Sequence, residues 1–496
     1  MRPVPILDGH KEAAALASRL SGSASRLRRA ARHLSALGLA LATSACSGGG
    51  LFGAAAPPPG VPGHVQGFQG AVVADEPRAA LIGRQVLSAG GDAADAAVAM
   101  GFALSVTLPS RAGLGASGAC LAFTPGAKGA NKGVPEAVLF TPAAPPGAAG
   151  GDRPAALPML PRGLYLLHAK FGHLPFAALV APAEELARLG TPASAALVRD
   201  LDVVATPLLA DPQARAVFSR NGQPLRVGDL LSQPALAATL ARMRVAGVGD
   251  FYQGGLAQTL AQQSPLAGGP LPAAALRGAL PTLAQPIVVA DGNDRVAFLP
   301  PPADGGLAAA AAFETLRHDP TALQAAAERA LAVAAAWRRG GTSAQALLAG
   351  TPPAGALPPL PASTTFLALD RAGGAVACAV TMDNLFGTGR IVPGMGFLLA
   401  ASPASVPPPL LAAAMAWNPN THAFRAAVAG SGQNGAALAA AVAMANTLRT
   451  GQAMPVPVPD PGRANAIACG RYLPGDNGSC GWAADPRGNG LAQGGG

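Results

Sequence analysis

Residues 92–108, DAADAAVAMGFALSVTL, have the length and composition of a helix with almost no polar face. A helix that is apolar all round cannot face water and must be central to the fold. Asp92 stands at the N-cap position, and the Gly90-Gly91 pair closes the amphipathic segment PRAALIGRQVLSAGG (77–91) before it. Half of the 496 residues are hydrophobic, which excludes a disordered chain, and much of that content is Ala. After residue 50 no run reaches the roughly 20 apolar residues that a membrane-spanning helix needs, so the body of the chain is expected to be soluble.

The N-terminus has a different character. RLRRAARH (26–33) is a basic stretch, LSALGLALATSA (34–45) a short apolar one, and Cys46 precedes SGGG, the order of an export signal. The segment ending at Cys46 resembles a bacterial lipoprotein signal, which implies acylation of that thiol and a periplasmic, membrane-anchored protein. Thr43 departs from that pattern, and a plain secretory signal cut near Ala45 is the alternative. Residues 1–46 are thus a leader, and the Gly/Pro-rich stretch 47–70 is expected to be a flexible tether.

The leader carries much of the basic charge. Seven Lys/Arg stand against two Asp/Glu in the first 46 residues, and 28 against 24 in the remaining 450. No Lys/Arg cluster with interleaved aromatics follows, so a nucleic-acid partner is not indicated. Cys469 and Cys480 flank the turn-rich GRYLPGDNGS and are expected to form a disulfide in an exported protein. Cys120 and Cys378 lie in apolar runs and are expected as unpaired core residues. No Cys/His set has metal-ligand spacing, and neither a metal nor a cofactor is expected.

Strand signals occur at GAVVAD (70–75), ACLAFT and AVLFTP (137–142), with the loop PSRAGLGASG (109–118) before the second. Helical patterns dominate 161–350, until LLAGTPPAGALPPLPA (347–362) breaks them as a flexible surface loop. Directly after it STTFLALDRAGGAVACAVTMDN (363–384) forms two strands turned at Ala372-Gly373-Gly374. A hydroxyl residue heading a strand behind such a linker suits an N-terminal nucleophile. Cutting the linker frees an α-amine, which in an unstructured peptide titrates at about pH 8, to serve as base for its own hydroxyl. A Ser or Thr that merely starts a strand is the plainer reading.

Several segments together resemble the γ-glutamyltransferase family of self-processing N-terminal-nucleophile enzymes. VVADEPRAALIGRQVLSAGGDAADAAVAMGFALSVTLP is similar to its opening stretch, and RAGLGASG to its Gly-rich loop. LPRGLYLLHAKFGHLPFAALVAPAEELARLG is similar to its Pro-Gly and Pro-Ala helices, and STTFLALDRAGGAVACAVTMDNLFGTGRIVPGMGFLL to its nucleophile hairpin. The likeness runs over about residues 70–450 in the family's order. It implies an α/β (α+β) four-layer αββα sandwich, in which 71–362 forms the large-subunit part and 363–496 the small-subunit part.

Counting back seven positions from Asp370, as the family does, gives Ser363 as nucleophile; Thr364 keeps the family's residue type at the cost of a one-residue gap, which would flip the strand faces. Thr381 corresponds to the threonine that hydrogen-bonds the nucleophile, and Gln433 and Asn434 stand at the oxyanion-hole positions. The substrate-gripping positions depart from the family. Thr141 or a neighbour replaces an Arg, Asp383 an Asn, Ala400-Ala401 an acidic pair and Ala413-Ala414 a Ser pair. A zwitterionic head group desolvated without partners is costly, so these changes weigh on γ-glutamyl specificity and leave the cutting apparatus untouched. The sequence reading is therefore a self-processing enzyme that transfers or hydrolyses a γ-glutamyl or related acyl group of a small amide. An amidase for another acyl group, or an inactive envelope binding protein, are the alternatives.

Overall fold

The computed structural model describes residues 57–126, 133–146, 151–358 and 362–495; the leader with Cys46 lies outside the described residues. Thirteen strands build two large sheets: β1 (Gly70–Ala74), β2 (Ser117–Phe123), β3 (Glu136–Phe140), β4 (Thr282–Ala284), β5 (Ile287–Asp291), β6 (Asp294–Phe298), β7 (Ser363–Asp370), β8 (Ala375–Thr381), β9 (Ala412–Asn418), β10 (Ala423–Ser431), β11 (Arg463–Leu473), β12 (Cys480–Ala483) and β13 (Leu491–Gly494). The first sheet has the order β13-β1-β7-β8-β2-β3-β4 and the second β12-β11-β10-β9-β6-β5. Neighbouring strands in both are antiparallel.

Period-two alternation assigns each strand face to a layer. On β7, Leu367 and Leu369 join a core shared with Ala413, Ala427 and Ile467 of the other sheet, while Phe366 and Ala368 join the helical core on the opposite side. Ala dominates both facing surfaces, which is where the Ala-rich composition is spent. The helix α1 (Pro77–Ser88) lies on the outer face of the first sheet beside α2 (Ala93–Thr107), and all 15 residues of α2 are buried. Over α2 lie α3 (Leu160–Phe171) and α4 (Phe176–Leu189), with Phe102 meeting Phe176 edge to face at 5.7 Å. Next in the chain comes α5 (Ala195–Leu208). The second sheet is covered by α6 (Asp304–His318), α7 (Leu323–Arg339) and α8 (Ala436–Thr450). The result is the expected αββα sandwich, with the apolar helix at its centre. Among the described residues no helix is long and apolar enough to cross a membrane.

Asp370, the counting landmark, has a structural task. Its carboxylate accepts the N–H groups of Ala372 (2.8 Å) and Gly374 (2.9 Å) in the hairpin turn and of Ala93 (3.2 Å) at the start of α2. Burial pushes this carboxyl up, and the backbone donors work against that shift. The hairpin is thereby tied to the helix beneath it. Asp92 caps α2 in a capping box with Asp95, as its position suggested.

Both disulfides are cross-strand pairs. Cys469–Cys480 joins β11 to β12, as expected. Cys120 and Cys378 are not the unpaired core residues that their apolar surroundings suggested: they face each other on β2 and β8 and are bonded, across 258 residues of sequence. Only strand pairing brings them together, so an apolar run around each was all the sequence could display. The second half of the stretch assigned to a tether is also docked, with Val65 N–H on Ser88 O and Gly60 N–H on Ala89 O at the end of α1. Within the expected loop 347–362, a short helix Ala344–Ala349 overlaps the start, residues 351–358 have no regular structure, and Ala362 is buried.

Gly163 of α3 sits where a Cβ would come within 2.2 Å of the Phe140 ring on β3. Gly163→Ala should destabilise the fold by about 1–3 kcal/mol through overpacking. Urea unfolding of the purified variant checks this, and the wild-type midpoint would count against that contact.

Candidate active site

The two strands of the hairpin meet so that Ser363, the first residue of β7, lies opposite Thr381, the last of β8. Thr381 in turn lies opposite Ser117, the first residue of β2. Period two aims all three toward the inter-sheet layer, on the same face as Leu367, Ala379 and Ala119. Thr141 lies one position past the end of β3, whose Phe140 pairs with Gly118; it is half-buried and continues the row at its far side.

The two candidate nucleophiles have different surroundings. Thr364 points the other way and its hydroxyl donates to Asp75 Oδ2 at 2.8 Å. The same oxygen accepts Thr365 N–H at 3.0 Å, and Asn465 Nδ2 donates to Asp75 Oδ1 (2.7 Å) and to Thr365 Oγ1 (2.8 Å). Thr364 is therefore committed to anchoring the strand. Ser363 Oγ instead accepts the backbone N–H of Gly432 at 3.2 Å. Its proton has no acceptor among the described residues, which leaves the oxygen available for attack.

Thr381 has a different partner from the one the resemblance implied. Its Oγ–H donates to the carbonyl oxygen of Ala362 at 2.7 Å, and it accepts Asp383 N–H at 2.8 Å. The chain of donors from Asp383 N–H through Thr381 to Ala362 polarises the carbonyl of the bond that precedes Ser363. From the other side, Arg111 Nη1 donates to Ser363 O at 3.3 Å. Arg111 is forked onto Asp200 of α5 at 2.6 and 2.8 Å; burial acts against its charge, and the Asp200 carboxylate outweighs this and holds the guanidinium above its ordinary value.

At the end of β10 the loop GSGQNG turns toward Ser363. Gly432 has φ +91°, and a Cβ there would come within 2.0 Å of Pro461 O, so glycine is required for the turn that aims its N–H at Ser363. Gln433 and Asn434, expected at the oxyanion positions, directly follow Gly432, whose N–H is on Ser363 Oγ. Gln433 (φ 23°) is fully buried with both side-chain polar atoms unpartnered, and Asn434 Oδ1 is unpartnered too, among the described residues. Across the layer Asp383 (φ 62°) is fully buried, and neither carboxyl oxygen has a hydrogen-bond partner among the described residues. Burial pushes this carboxyl well above the usual carboxylate range, and the charge of Arg338 opposes the shift. Positive φ at two fully buried non-glycine residues is strain of the kind that functional sites hold.

Sequence reading missed Gly432, Ser117, Arg111, Asp75, Asn465 and Arg338. Ser117 and Arg111 stood inside the matched loop RAGLGASG, and Gly432 inside GSGQNG, so the signal was present in the segments without being resolved to the residue. Asn465 and Arg338 carried no local signal. A cavity of about 360 Å³ lies beside the end of the hairpin, lined by Asn384, Phe386, Thr388, Arg153, Leu208 and Val406. The residues around Ser363 are closed off: Ser363, Thr381, Ser117 and Ala362 are all buried.

Known proteins supply an independent comparison. The chain is 31% identical over 295 residues to the glutathione hydrolase proenzyme of Escherichia coli (strain K12), covering 54% of this chain and 50% of that protein. It is 28% identical over 196 residues to the capsule biosynthesis protein CapD proenzyme of Bacillus anthracis, covering 39% of this chain and 35% of that one. The chain spans about half or less of the length of these curated relatives. The crystal structure of cephalosporin acylase from Bacillus halodurans superposes with a TM-score of 0.69 at 19% identity, over 86% of this chain and 96% of that one, which shows a shared fold. The family model Gamma-glutamyltranspeptidase matches residues 79–338, and the chain belongs to that family.

Proposed function

We propose that the chain is a precursor that cuts itself between Ala362 and Ser363 and then works as an amide acyltransferase or hydrolase through the new N-terminal serine. The observation that carries this reading is the Thr381 hydroxyl on the Ala362 carbonyl, with Ser363 Oγ beside it on the Gly432 N–H. Ser363 Oγ attacks the Ala362 carbonyl carbon, its proton passes to the departing Ser363 nitrogen, and the C–N bond breaks to leave an ester. Water then cleaves that ester, giving an Ala362 carboxylate and a free Ser363 α-amine. In turnover the amine takes the hydroxyl proton as Oγ attacks a substrate amide and returns it to the leaving amine. The acyl ester passes to water or to a second amine. In the cutting step the Thr381 hydroxyl, already on the Ala362 carbonyl oxygen, donates to the oxyanion that forms there, with Gly432 N–H beside it on Oγ.

The names of the relatives support both halves of this reading, since they are described as proenzymes and as glutathione hydrolases. The γ-glutamyl group of a glutathione-like amide is the family's acyl group. A second reading, an amidase for a different acyl group, has specific support: Ala400, Ala401, Ala413 and Ala414 occupy gripping positions and are buried alanines without a polar atom to offer. The export signal, with two disulfides that suit an oxidising compartment, supports a periplasmic protein anchored through Cys46. Mass spectrometry of the N-terminal peptide checks the acyl group on Cys46.

The mature chain run under denaturing conditions should show two fragments joined at 362/363 in the precursor, and Ser363→Ala should leave a single band. An intact wild-type band would overturn self-processing. Thr364→Val should still be cut, while losing about 1–3 kcal/mol of stability because the Asp75 carboxylate is left with one donor fewer. Denaturant titration of the Ser363→Ala background, with and without Thr364→Val, measures that cost. For the cut enzyme, kcat/KM should rise with pH as the Ser363 amine loses its proton, at about pH 8 for an ordinary peptide α-amine. A profile flat through that range would argue against the amine as base.

A further inference from the structure

The end of the sandwich that holds Ser363 carries an unusual concentration of buried polar atoms without partners among the described residues. They are Ser117 Oγ, both oxygens of Asp383, Oε1 and Nε2 of Gln433, Asn434 Oδ1 and Arg338 Nη1. Buried polar groups are normally satisfied, so a set of orphans beside Ser363 points to a ligand. Asp383 and Gln433 are completely buried. Five of these seven atoms are oxygens and two are nitrogens. What is missing is mainly a donor.

The charges point the same way. Arg338, at the end of α7, is forked onto Asp304 at the head of α6 (2.5 and 3.1 Å) and donates to Pro408 O (2.7 Å), just ahead of β9. Its charge is thus already matched, and only Nη1 remains to donate. Asp383 follows β8 on the opposite wall and has no cation bonded to it among the described residues. Once ionised, Asp383 leaves this end short of one positive charge. A carboxylate bound here would gain one donor from Arg338 and would meet both Asp304 and Asp383. An ammonium brings three donors and no acceptor, and it finds a carboxyl and three neutral oxygens.

We propose that the buried groups Asp383, Ser117, Gln433 and Asn434 beside Ser363 form a subsite for an acyl group that carries a protonated amine and no carboxylate. The assignment rests on the acyl-enzyme reading given above and names its substrate class. Burial disfavours the ionised form of Asp383 in the empty site, and an ammonium selects that form, so the amine substrate binds more tightly as pH rises. The charged groups facing Asp383 in this balance are Arg338, with Asp304 behind it, and the Ser363 α-amine once the chain is cut.

The self-cleaved full chain is assayed with four p-nitroanilides: 4-aminobutyryl, butyryl, glutaryl and γ-glutamyl. The expected result is a kcat/KM for 4-aminobutyryl at least tenfold above those for butyryl and glutaryl and above that for γ-glutamyl, carried mainly by KM. Asp383→Asn should lower the 4-aminobutyryl value at least tenfold more than the butyryl value. Equal rates across the four in the wild type, or a preference for glutaryl or γ-glutamyl, overturns the subsite while leaving the acyl-enzyme reading in place; this ranking requires no variant to fold. If Asp383 instead holds the Ser363 amine, Asp383→Asn moves the pH profile for butyryl anilide and leaves the amine preference intact, which also overturns the proposal. A chain that fails to cut itself and turns over none of the four removes the acyl-enzyme reading and the subsite with it.

Discussion

The pairing of β7 with β8 is the constraint on which the site depends. With Ser363 opposite Thr381, the hydroxyl of one strand reaches the carbonyl that precedes the other. A slip of one residue would turn Ser363 to the helical face and bring Thr364 into the inter-sheet layer, because side chains alternate with period two. Three features hold the register: Asp370 clamping the hairpin turn onto α2, Asp75 holding Thr364 and Thr365, and the Cys120–Cys378 bond fixing β8 to β2. Each lies off the reacting atoms, and together they leave Ser363 a single orientation.

The rest of the architecture serves to enclose that row. Sheets faced with alanine meet across a core of small side chains, and the all-apolar α2 is acceptable only because helices cover it from outside. The second sheet contributes the donor at Gly432, whose turn no side chain would permit. Polar groups at this end are therefore desolvated by construction. In such surroundings a hydrogen bond is strong and an unpaired group is costly, so the orphaned atoms around Asp383 carry more information than the filled positions.

On the reading proposed above, the chain keeps the elements that would cut and carry an acyl group and lacks several that the family resemblance expects to grip a zwitterion. Thr141, Ala400–Ala401 and Ala413–Ala414 remove charge and hydroxyl groups, while Asp383 adds a charge. Arg338 supplies a guanidinium from α7, already neutralised by Asp304.

Much of this was legible in the residues themselves. The apolar run 92–108 required a central helix, the Pro-rich stretch before Ser363 marked a linker, and the glycine turn after Asp370 defined a hairpin; these are local patterns, with periods and turn chemistry that a short segment displays. Counting favours Ser363 over Thr364, and what the sequence could not display is the Asp75 network that holds Thr364, joining residues 290 and 390 positions apart. The Cys120–Cys378 bond, the Thr381 contact to Ala362 and the gathering of orphaned atoms around Asp383 depend on which strands become neighbours. The sequence by itself determined the layers and the place where the chain could be cut. Only the tertiary structure decided which hydroxyl is free and which charge lacks a partner, because both are properties of what folding brings alongside a residue.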